Sequence, residues 1–161
     1  MSFHDMNDKQ HQRDHVRRLS EVFLEPAIFL ITICVRRRKN LFATGELAQM
    51  IVETLGEIAE DCQWQIGQYV VMPDHIHFFC RTDEDHHTLS RFIGTFKSIT
   101  TRRAWNHGIS GRIWQREFHD HLLRTAEAYQ EKIEYVRRNP VRAGLCEDAD
   151  DYLLSGKFHD L

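Results

Sequence analysis

Residues 70–80 read Val-Val-Met-Pro-Asp-His-Ile-His-Phe-Phe-Cys, and this stretch decides how the chain folds. Side chains along a β-strand point alternately to the two faces of a sheet. His75 and His77 therefore share one face, while Ile76 and Phe78 share the other. The pattern predicts a strand with one face packed on a core and two adjacent imidazoles on the opposite face.

The two imidazoles admit two interpretations. Imidazole is a common ligand of divalent metal ions, so His75 and His77 could chelate one ion between them. A chain with 11 histidines could also carry two of them on a polar sheet face that binds nothing. Their spacing by itself leaves both interpretations open.

Turn residues and hydrophobic periodicity place the neighbouring elements. Pro73 cannot donate to a sheet ladder, so Pro73 and Asp74 should form the turn of a tight hairpin. β-branched and aromatic residues predict strands, and apolar residues at helical spacing predict helices, the first of them capped by Thr44. Pro140 should end the last helix at Asn139. The predicted elements are strands over 27–35, 64–72, 75–81 and 113–124 and helices over 45–61, 89–105 and 126–139.

The first six of these elements follow the βαββαβ order of a ferredoxin-like fold. We therefore predict an α+β protein with an antiparallel sheet, helices on one face of it, and an additional C-terminal helix. A length of 161 residues and a hydrophobic content of 42% fit one domain with a substantial core. Residues 1–26 should form an N-terminal arm, residues 27–144 the domain, and residues 145–161 a peripheral acidic tail.

Positive charge is concentrated in one part of a chain whose net charge is −3. From His86 to Arg116 there is no Asp or Glu, whereas a solvated helix face normally mixes both signs. A segment of one sign with hydroxyl groups between the cations indicates contacts to phosphates. A second basic run, residues 36–39, is either a solvated turn or another phosphate contact. The cations of the first segment are Arg91, Lys97, Arg102, Arg103, Arg112 and Arg116.

Cysteine usage and hydropathy bear on location. The four cysteines form no CxxC pair, and no signal peptide is recognisable at the N-terminus. Both observations favour reduced thiols in a cytoplasmic protein. The longest apolar run is too short to cross a bilayer, so no membrane partner is expected.

The last predicted helix carries one tyrosine that its core does not need. Tyr129, Ile133 and Val136 form the apolar stripe of this helix, and Tyr135 lies about 120° from the centre of that stripe. Asn139 follows Tyr135 by four residues and shares its face of the helix. Tyr135 and Asn139 therefore form a polar pair that is available for another role.

Three blocks of sequence, taken in order, resemble one family. They are Val-Met-Pro-Asp-His-Ile-His at 71–77, Ile-Trp-Gln-Arg-Glu-Phe-His-Asp-His at 113–121, and Ile-Glu-Tyr-Val-Arg-Arg-Asn-Pro-Val-Arg-Ala-Gly at 133–144. A basic helix lies between the first two. The chain resembles the single-tyrosine transposases of the insertion-sequence-200 type and, within them, the REP-associated, RAYT-like branch. The resemblance extends from about residue 27 to residue 144.

The resemblance implies a set of roles. It implies that His75 and His77 bind Mg²⁺ or Mn²⁺, that Asn139 is a third ligand, and that Tyr135 is the nucleophile. It implies single-stranded DNA with a short hairpin as the partner, and it leaves monomer and homodimer open. Arg138 and the six cations of residues 86–116 would contact the DNA phosphates.

The chemistry of DNA strand transfer requires these groups. A tyrosine phenol has a pKa of about 10 and needs help to attack a phosphodiester, which a metal ion gives by polarising the phosphate. Attack would leave a 5′-phosphotyrosine and a free 3′-hydroxyl, so a later joining step needs no ATP. The resemblance thus implies a transposase-like enzyme that nicks and joins single strands.

Two other functions stay open. One is a DNA-binding protein of the same family that no longer catalyses, and the other is a metal-dependent hydrolase without a covalent step. A covalent protein–DNA adduct would separate the enzyme from both.

His119 and His121 repeat the His-x-His spacing, but Asp120 between them favours structural hydrogen bonding over metal ligation. Gln115 is a further polar candidate whose role the sequence does not define.

Overall fold

The computed structural model describes residues 23–43, 45–83 and 88–161. Five strands form one sheet in the order β4-β1-β3-β2-β5, and every pairing is antiparallel. The predicted cap Thr44 lies outside the described residues. The strands are β1 (Phe23–Cys34), β2 (Gln65–Met72), β3 (His75–Arg81), β4 (His119–Thr125) and β5 (Ser155–Lys157), and the helices are α1 (Gly45–Asp61), α2 (Leu89–Trp105), α3 (Ala126–Arg137) and α4 (Asn139–Arg142).

The ferredoxin-like prediction is confirmed for the first six elements. The helices α1 and α2 cover one face of the sheet, and Ile76 and Phe78 of β3 are fully buried beneath them, as the alternation predicted. Within the described parts of the chain, no helix is long and apolar enough to span a membrane.

The opposite face of the sheet is partly covered by α3. Tyr129 and Val136 of this helix are buried against Phe79 of β3 and against Val70 and Met72 of β2. The rings of Phe79 and Tyr129 meet edge to face with their centroids 5.3 Å apart. Phe79 lies on the same face as the two histidines, so the prediction that this face is not core is wrong for its Phe79 end. The histidines lie beside a second small core.

Two predicted strand boundaries differ from the structure. β1 begins at Phe23 rather than at residue 27, because an irregularity in its pairing with β4 accommodates Pro26 within the strand. β4 begins at His119 rather than at residue 113. The segment before it touches the sheet through one bridge between Val35 and Trp114 and otherwise turns towards α2.

Pro140 redirects the last helix and does not end the helical path. The helix α3 ends at Arg137, and α4 begins two residues later with Pro140 in its first turn. A proline at that position removes no helical hydrogen bond, because the first amide groups of a helix have no partner within the helix.

Residues 145–161 are integrated into the fold, so the expectation of a peripheral tail is wrong. β5 pairs with β2 and extends the sheet. The Tyr152 hydroxyl donates to the Val71 carbonyl at 2.8 Å, and the Phe158 ring packs on the Tyr69 ring at 5.4 Å. The acidic run of residues 147–151 dominates the composition of this region, whereas the three-residue strand carries no apolar alternation to reveal it.

Gly156 allows this close packing, and its substitution tests the role of the C-terminal strand. A Cβ atom at Gly156 would lie 2.5 Å from the Tyr69 hydroxyl oxygen. Gly156→Ala should therefore lower the free energy of unfolding by about 1–3 kcal/mol, as overpacking does. Urea denaturation measures the change. Gly94→Ala is the control, because a Cβ there meets no atom within 4 Å, and it should leave stability unchanged or higher.

Candidate metal centre and catalytic tyrosine

The two histidines of β3 converge on one point. β3 lies between β1 and β2, with Thr32 opposite His77 and Cys34 opposite His75. The Nε2 atoms of His75 and His77 are 3.1 Å apart. Two nitrogen ligands at about 2.0–2.1 Å from one ion would lie about 2.9–3.4 Å apart, for right-angled to tetrahedral coordination. The observed separation therefore fits a shared divalent ion.

Each imidazole is held through its other nitrogen. Thr32 Oγ1 lies 2.7 Å from His77 Nδ1, and Asp74 Oδ1 lies 2.6 Å from His75 Nδ1. A carboxylate can only accept a hydrogen bond, so His75 Nδ1 carries a proton and, in a neutral ring, Nε2 is the basic nitrogen. Partners of this kind orient metal-ligating histidines and fix their tautomers. Asp74 is itself held by Arg38, whose Nε lies 2.8 Å away.

His77 is kept in the form that a metal ion requires. The pKa of His77 is lowered to about 3, mainly by burial and in addition by His75 and by the guanidinium groups of Arg38 and Arg142. The imidazole is therefore neutral at physiological pH, and neutral imidazole is the ligating form. The Arg142 guanidinium, on α4, is thus among the charges that act on His77.

A complete metal site needs a third protein ligand or the substrate itself. Within residues 23–43, 45–83 and 88–161, no cluster of three or more His, Cys, Asp and Glu side chains is placed to hold a metal ion. Asparagine is not among those four residue types, so its amide oxygen remains a candidate ligand. Asn139 Oδ1 accepts a hydrogen bond from Arg142 Nη2 at 2.8 Å and keeps a second lone pair. The candidate donors are thus two imidazoles on β3 and one amide oxygen on α4, and their joint coordination of one ion stays a prediction.

Tyr135 lies in the solvent-exposed position that its helical phase predicted. Its side chain is 53% exposed, whereas Val136 beside it is fully buried. The Arg142 guanidinium lies over the Tyr135 ring at 4.1 Å from the centroid and also donates to the Tyr135 carbonyl at 2.7 Å. Because Arg142 also binds Asn139, it joins the tyrosine and the amide into one unit.

The other three tyrosines are committed to the fold. Tyr129 is buried against the sheet, and Tyr69 lies under Phe158. Burial raises the pKa of both phenols. The Tyr152 hydroxyl donates its hydrogen to the Val71 carbonyl. Tyr135 is therefore the one tyrosine in the chain with a largely exposed ring, since all four lie in the described residues.

Two of the cations predicted to contact DNA have protein partners. The Lys97 ammonium donates to the carbonyl oxygens of residues 115, 116 and 117 at 3.0–3.1 Å. Arg103 donates to Thr54 Oγ1 at 2.7 Å and to Glu57 Oε2 at 2.6 Å, which ties α2 to α1. Both cations hold parts of the fold together, and their contact with DNA stays a prediction.

The remaining predicted DNA contacts are exposed at the surface: Arg91, Arg102, Arg112, Arg116 and Arg138. Arg91 lies in the first turn of α2 and Arg102 in its last turn, so these two cations are at opposite ends of the helix. Arg138 lies between α3 and α4, close in sequence to Tyr135. The predicted contacts therefore occupy more than one patch of the surface.

The second His-x-His motif lies on the edge strand. His119 and His121 are exposed on β4, and His119 is opposite Thr32, in the same row of the sheet as His77. Neither imidazole hydrogen-bonds to a described residue, so the expected structural hydrogen bonding is absent there. Gln115 lies at the end of β1, where its backbone amide donates to the Cys34 carbonyl at 2.9 Å.

Thr32 and Asp74 belong to the candidate site although the sequence did not point to them, and Arg142, a cation close in sequence to Tyr135, makes contacts there that the sequence did not specify. Thr32 sits inside an apolar run, and only its register opposite His77 gives it a role. Asp74 was interpreted as a turn residue. Arg142 follows Asn139 by three residues, a helical spacing that could have indicated the contact had the helix been continued past Pro140.

Comparison with known proteins defines the class. The family model described as "Transposase IS200 like" matches residues 27–139, which is most of the chain. The chain belongs to this family of transposases. Its function is therefore transposase-like DNA processing.

Three similar proteins illustrate the relationship. The REP-associated tyrosine transposase of Escherichia coli K12 is 24% identical over 137 residues, covering 85% of this chain and 79% of that protein. A solved structure of the REP-associated tyrosine transposase bound to a REP hairpin has a TM-score of 0.70 and 25% identity, covering 83% of this chain and 78% of that one. A candidate transposase from Deinococcus radiodurans R1 shares the fold, with a TM-score of 0.54 and 18% identity, and covers 75% of this chain and 94% of its own.

Mn²⁺ binding tests the proposed metal centre. His77→Ala should abolish Mn²⁺ binding measured by isothermal titration calorimetry, because one of the two convergent imidazoles is gone. Thr32→Val keeps the shape of the side chain and removes the oxygen beside His77 Nδ1, so it should weaken binding by about 10–100-fold.

His119→Ala is the matched control for the metal titration. It removes an exposed imidazole from the same face of the sheet and should leave Mn²⁺ affinity at the parental value. Parental affinity in His77→Ala, or a loss only in His119→Ala, would show that the metal centre has been placed wrongly.

Proposed function

We propose that this chain cleaves and rejoins single-stranded DNA beside a hairpin, through a covalent bond to Tyr135. The family supports DNA processing, and the similar structure bound to a REP hairpin supports a hairpin as the DNA feature that is recognised. The observation that carries the proposal is the 3.1 Å convergence of the His75 and His77 Nε2 atoms beside the helix that presents Tyr135.

His75, His77 and the Asn139 amide oxygen would hold Mg²⁺ or Mn²⁺. When bound, such an ion supplies a positive charge that polarises the scissile phosphate and offsets the charge that develops there. Thr32 and Asp74 keep both imidazoles in the required orientation whether or not the ion is present.

The covalent step conserves the phosphodiester bond energy. The Tyr135 hydroxyl oxygen attacks the scissile phosphorus and forms a 5′-phosphotyrosine, while the bond to the 3′-oxygen breaks. The phenolic proton passes to solvent, and the leaving 3′-oxygen takes up a proton to become a free hydroxyl. Attack by a 3′-hydroxyl on the phosphotyrosine reverses these changes and joins two strands.

Arg142 acts as a positioning residue in this scheme. It contacts the Tyr135 ring, the Tyr135 carbonyl and the Asn139 amide, and so it fixes the nucleophile relative to a metal ligand. Holding reacting groups in a near-attack arrangement contributes a large share of the rate in such reactions. An exposed tyrosine without this support would sample many orientations.

Tyr135→Phe tests the nucleophile. The substitution removes one exposed oxygen and keeps the ring under Arg142, so folding and DNA affinity should match the parent. Both proteins are incubated with 3′-end-labelled hairpin DNA carrying a single-stranded flank and with Mn²⁺, and are then denatured and separated by electrophoresis. The parent should yield labelled protein, and Tyr135→Phe should yield none.

Tyr152→Phe is the control for the adduct experiment, because it removes a phenol oxygen that already has a protein partner. It should form the adduct as the parent does. Labelled Tyr135→Phe protein would place the nucleophile elsewhere. Cleavage by the parent without any adduct would favour a metal-dependent hydrolase, and binding without cleavage would favour a protein that has lost catalysis.

Arg142→Lys tests the positioning role. Lysine keeps the charge but cannot make the paired hydrogen bonds of a guanidinium or stack on a ring in the same way. The single-turnover rate of adduct formation should fall by roughly 10- to 100-fold, while DNA affinity stays within about twofold of the parent. Arg137→Lys is the control: Arg137 lies on α3 with Tyr135 but pairs with Asp150, so this variant should leave the rate unchanged. An unchanged rate in Arg142→Lys would remove Arg142 from the scheme.

A further inference from the structure

A groove of about 800 Å³ lies between α2 and the segment of residues 111–116. One side is a stripe of α2 that repeats at helical spacing, and Gly94 forms part of it. A Cβ atom at Gly94 would meet no atom within 4 Å, so this part of the groove is open. The other lining side chains include Arg102, Trp105, Arg112, Gln115 and Arg116.

Trp105 presents a fixed aromatic surface in this groove. Its side chain is 51% exposed, whereas Trp64 and Trp114 are buried in the core. The Trp105 Nε1 atom donates to the Gly111 carbonyl at 3.0 Å, which fixes the edge of the ring and satisfies its only donor. An exposed indole held in this way is a platform for a flat, unpaired ligand.

Within the described residues, the arginines of the groove are largely without ion-pair partners. Arg102 and Arg112 are exposed, and among the described residues neither forms an ion pair or a hydrogen bond through its side chain. Arg116 is 89% exposed, and its nearest carboxylate, Glu117, is 3.9 Å away and itself exposed. Lys97 contributes differently, because it binds the carbonyls of residues 115–117 and holds that wall against α2.

A second small cavity continues the basic surface. It shares Gly111 and Arg112 with the groove and is lined by Arg36, Arg37 and Lys39. Arg38, the fourth cation of that run, is bound to Asp74 and Cys34. Three cations of this run therefore lie beside the groove, and the fourth holds Asp74, the hydrogen-bond partner of His75.

One end of the groove lies near the end of β1 that pairs with His75. Gln115 lines the groove, and the Gln115 backbone amide donates to the carbonyl of Cys34 at the end of β1. Cys34 is the pairing partner of His75 on the neighbouring strand. Adjacent strands lie about 4.8 Å apart, so one end of the groove is close to the proposed metal centre.

We propose that this groove binds a single-stranded DNA segment, with one base stacked on Trp105 and the adjoining phosphates against Arg102 and Arg112. Aromatic surfaces beside cations are the usual means of holding unpaired strands, whereas a duplex would keep its bases out of reach. The proposal rests on the proposed function for its choice of DNA. It goes further in assigning the flanking strand to a surface that the reaction chemistry does not use.

Intrinsic fluorescence tests the stacking directly. Because Trp105 is the one exposed tryptophan, a short oligothymidylate should quench fluorescence in the parent and leave that of Trp105→Phe unchanged. Trp105→Ala removes the platform and should weaken binding by roughly tenfold, measured by anisotropy of labelled DNA, whereas Trp105→Phe should stay near the parent. Parental affinity in Trp105→Ala would overturn the proposal.

Gly94→Leu tests the groove without removing any native contact. A Cβ atom there meets no atom within 4 Å, and leucine favours helix more than glycine does, so the protein should fold at least as well as the parent. It should nevertheless weaken oligothymidylate binding, because it projects into the groove. Gly45→Leu is the control in α1, where the Cβ also meets nothing, and it should bind as the parent does.

The outcomes separate this inference from the proposed function. If oligothymidylate quenches the fluorescence of the parent but the parent forms no adduct at Tyr135, the groove proposal is supported and the covalent mechanism is contradicted. An adduct at Tyr135 without quenching, and with parental affinity in both Trp105→Ala and Gly94→Leu, would overturn the groove alone. Tighter binding and stronger quenching by oligouridylate would assign the groove to RNA and overturn its assignment to DNA.

Discussion

The register between β3 and β1 is the constraint on which the site depends. It places Thr32 beside His77 and Cys34 beside His75, and the hairpin turn places Asp74 beside His75. A slip of one residue would turn both imidazoles into the core, so the burial of Ile76 and Phe78 on the other face resists that slip. β3 is also the central strand, with neighbours on both sides. The packing of the core thus fixes the separation of the two proposed ligands.

The junction of α3 and α4 brings the remaining groups to this sheet face. Tyr129 and Val136 anchor α3 on the sheet, and Pro140 begins a new helix that carries Arg142 back over Tyr135. Arg142 is near enough to His77 to contribute to its lowered pKa. One guanidinium thus lies close to both halves of the site. The stable part of the fold holds the proposed ligands, and the exposed part presents the nucleophile.

Local patterns predicted much of this structure. α1, α2 and β3 begin and end at the predicted residues, because amphipathic periodicity and strand alternation are properties of the segment itself. The strand at Ser155 and the three carbonyls that bind Lys97 arise only when distant segments meet, and so no local pattern reveals them. The same reason explains Arg103, which was predicted as a phosphate contact and instead joins two helices. The roles of His75, His77, Asn139 and Tyr135 stay predictions that the geometry supports.

The central claim is that Tyr135 and the histidine pair belong to one site, and ¹⁹F NMR of protein labelled with 3-fluorotyrosine tests it without DNA. The chain has four tyrosines, and Tyr135→Phe identifies the resonance of interest. Substoichiometric Mn²⁺ should broaden the Tyr135 resonance before that of Tyr69, because paramagnetic broadening falls steeply with distance. Tyr69 packs against the core on the opposite face of the sheet from the histidines. The broadening should vanish in His75→Ala and His77→Ala. A Tyr135 resonance that stays sharp at saturating Mn²⁺, or that broadens equally in both histidine variants, would contradict the account.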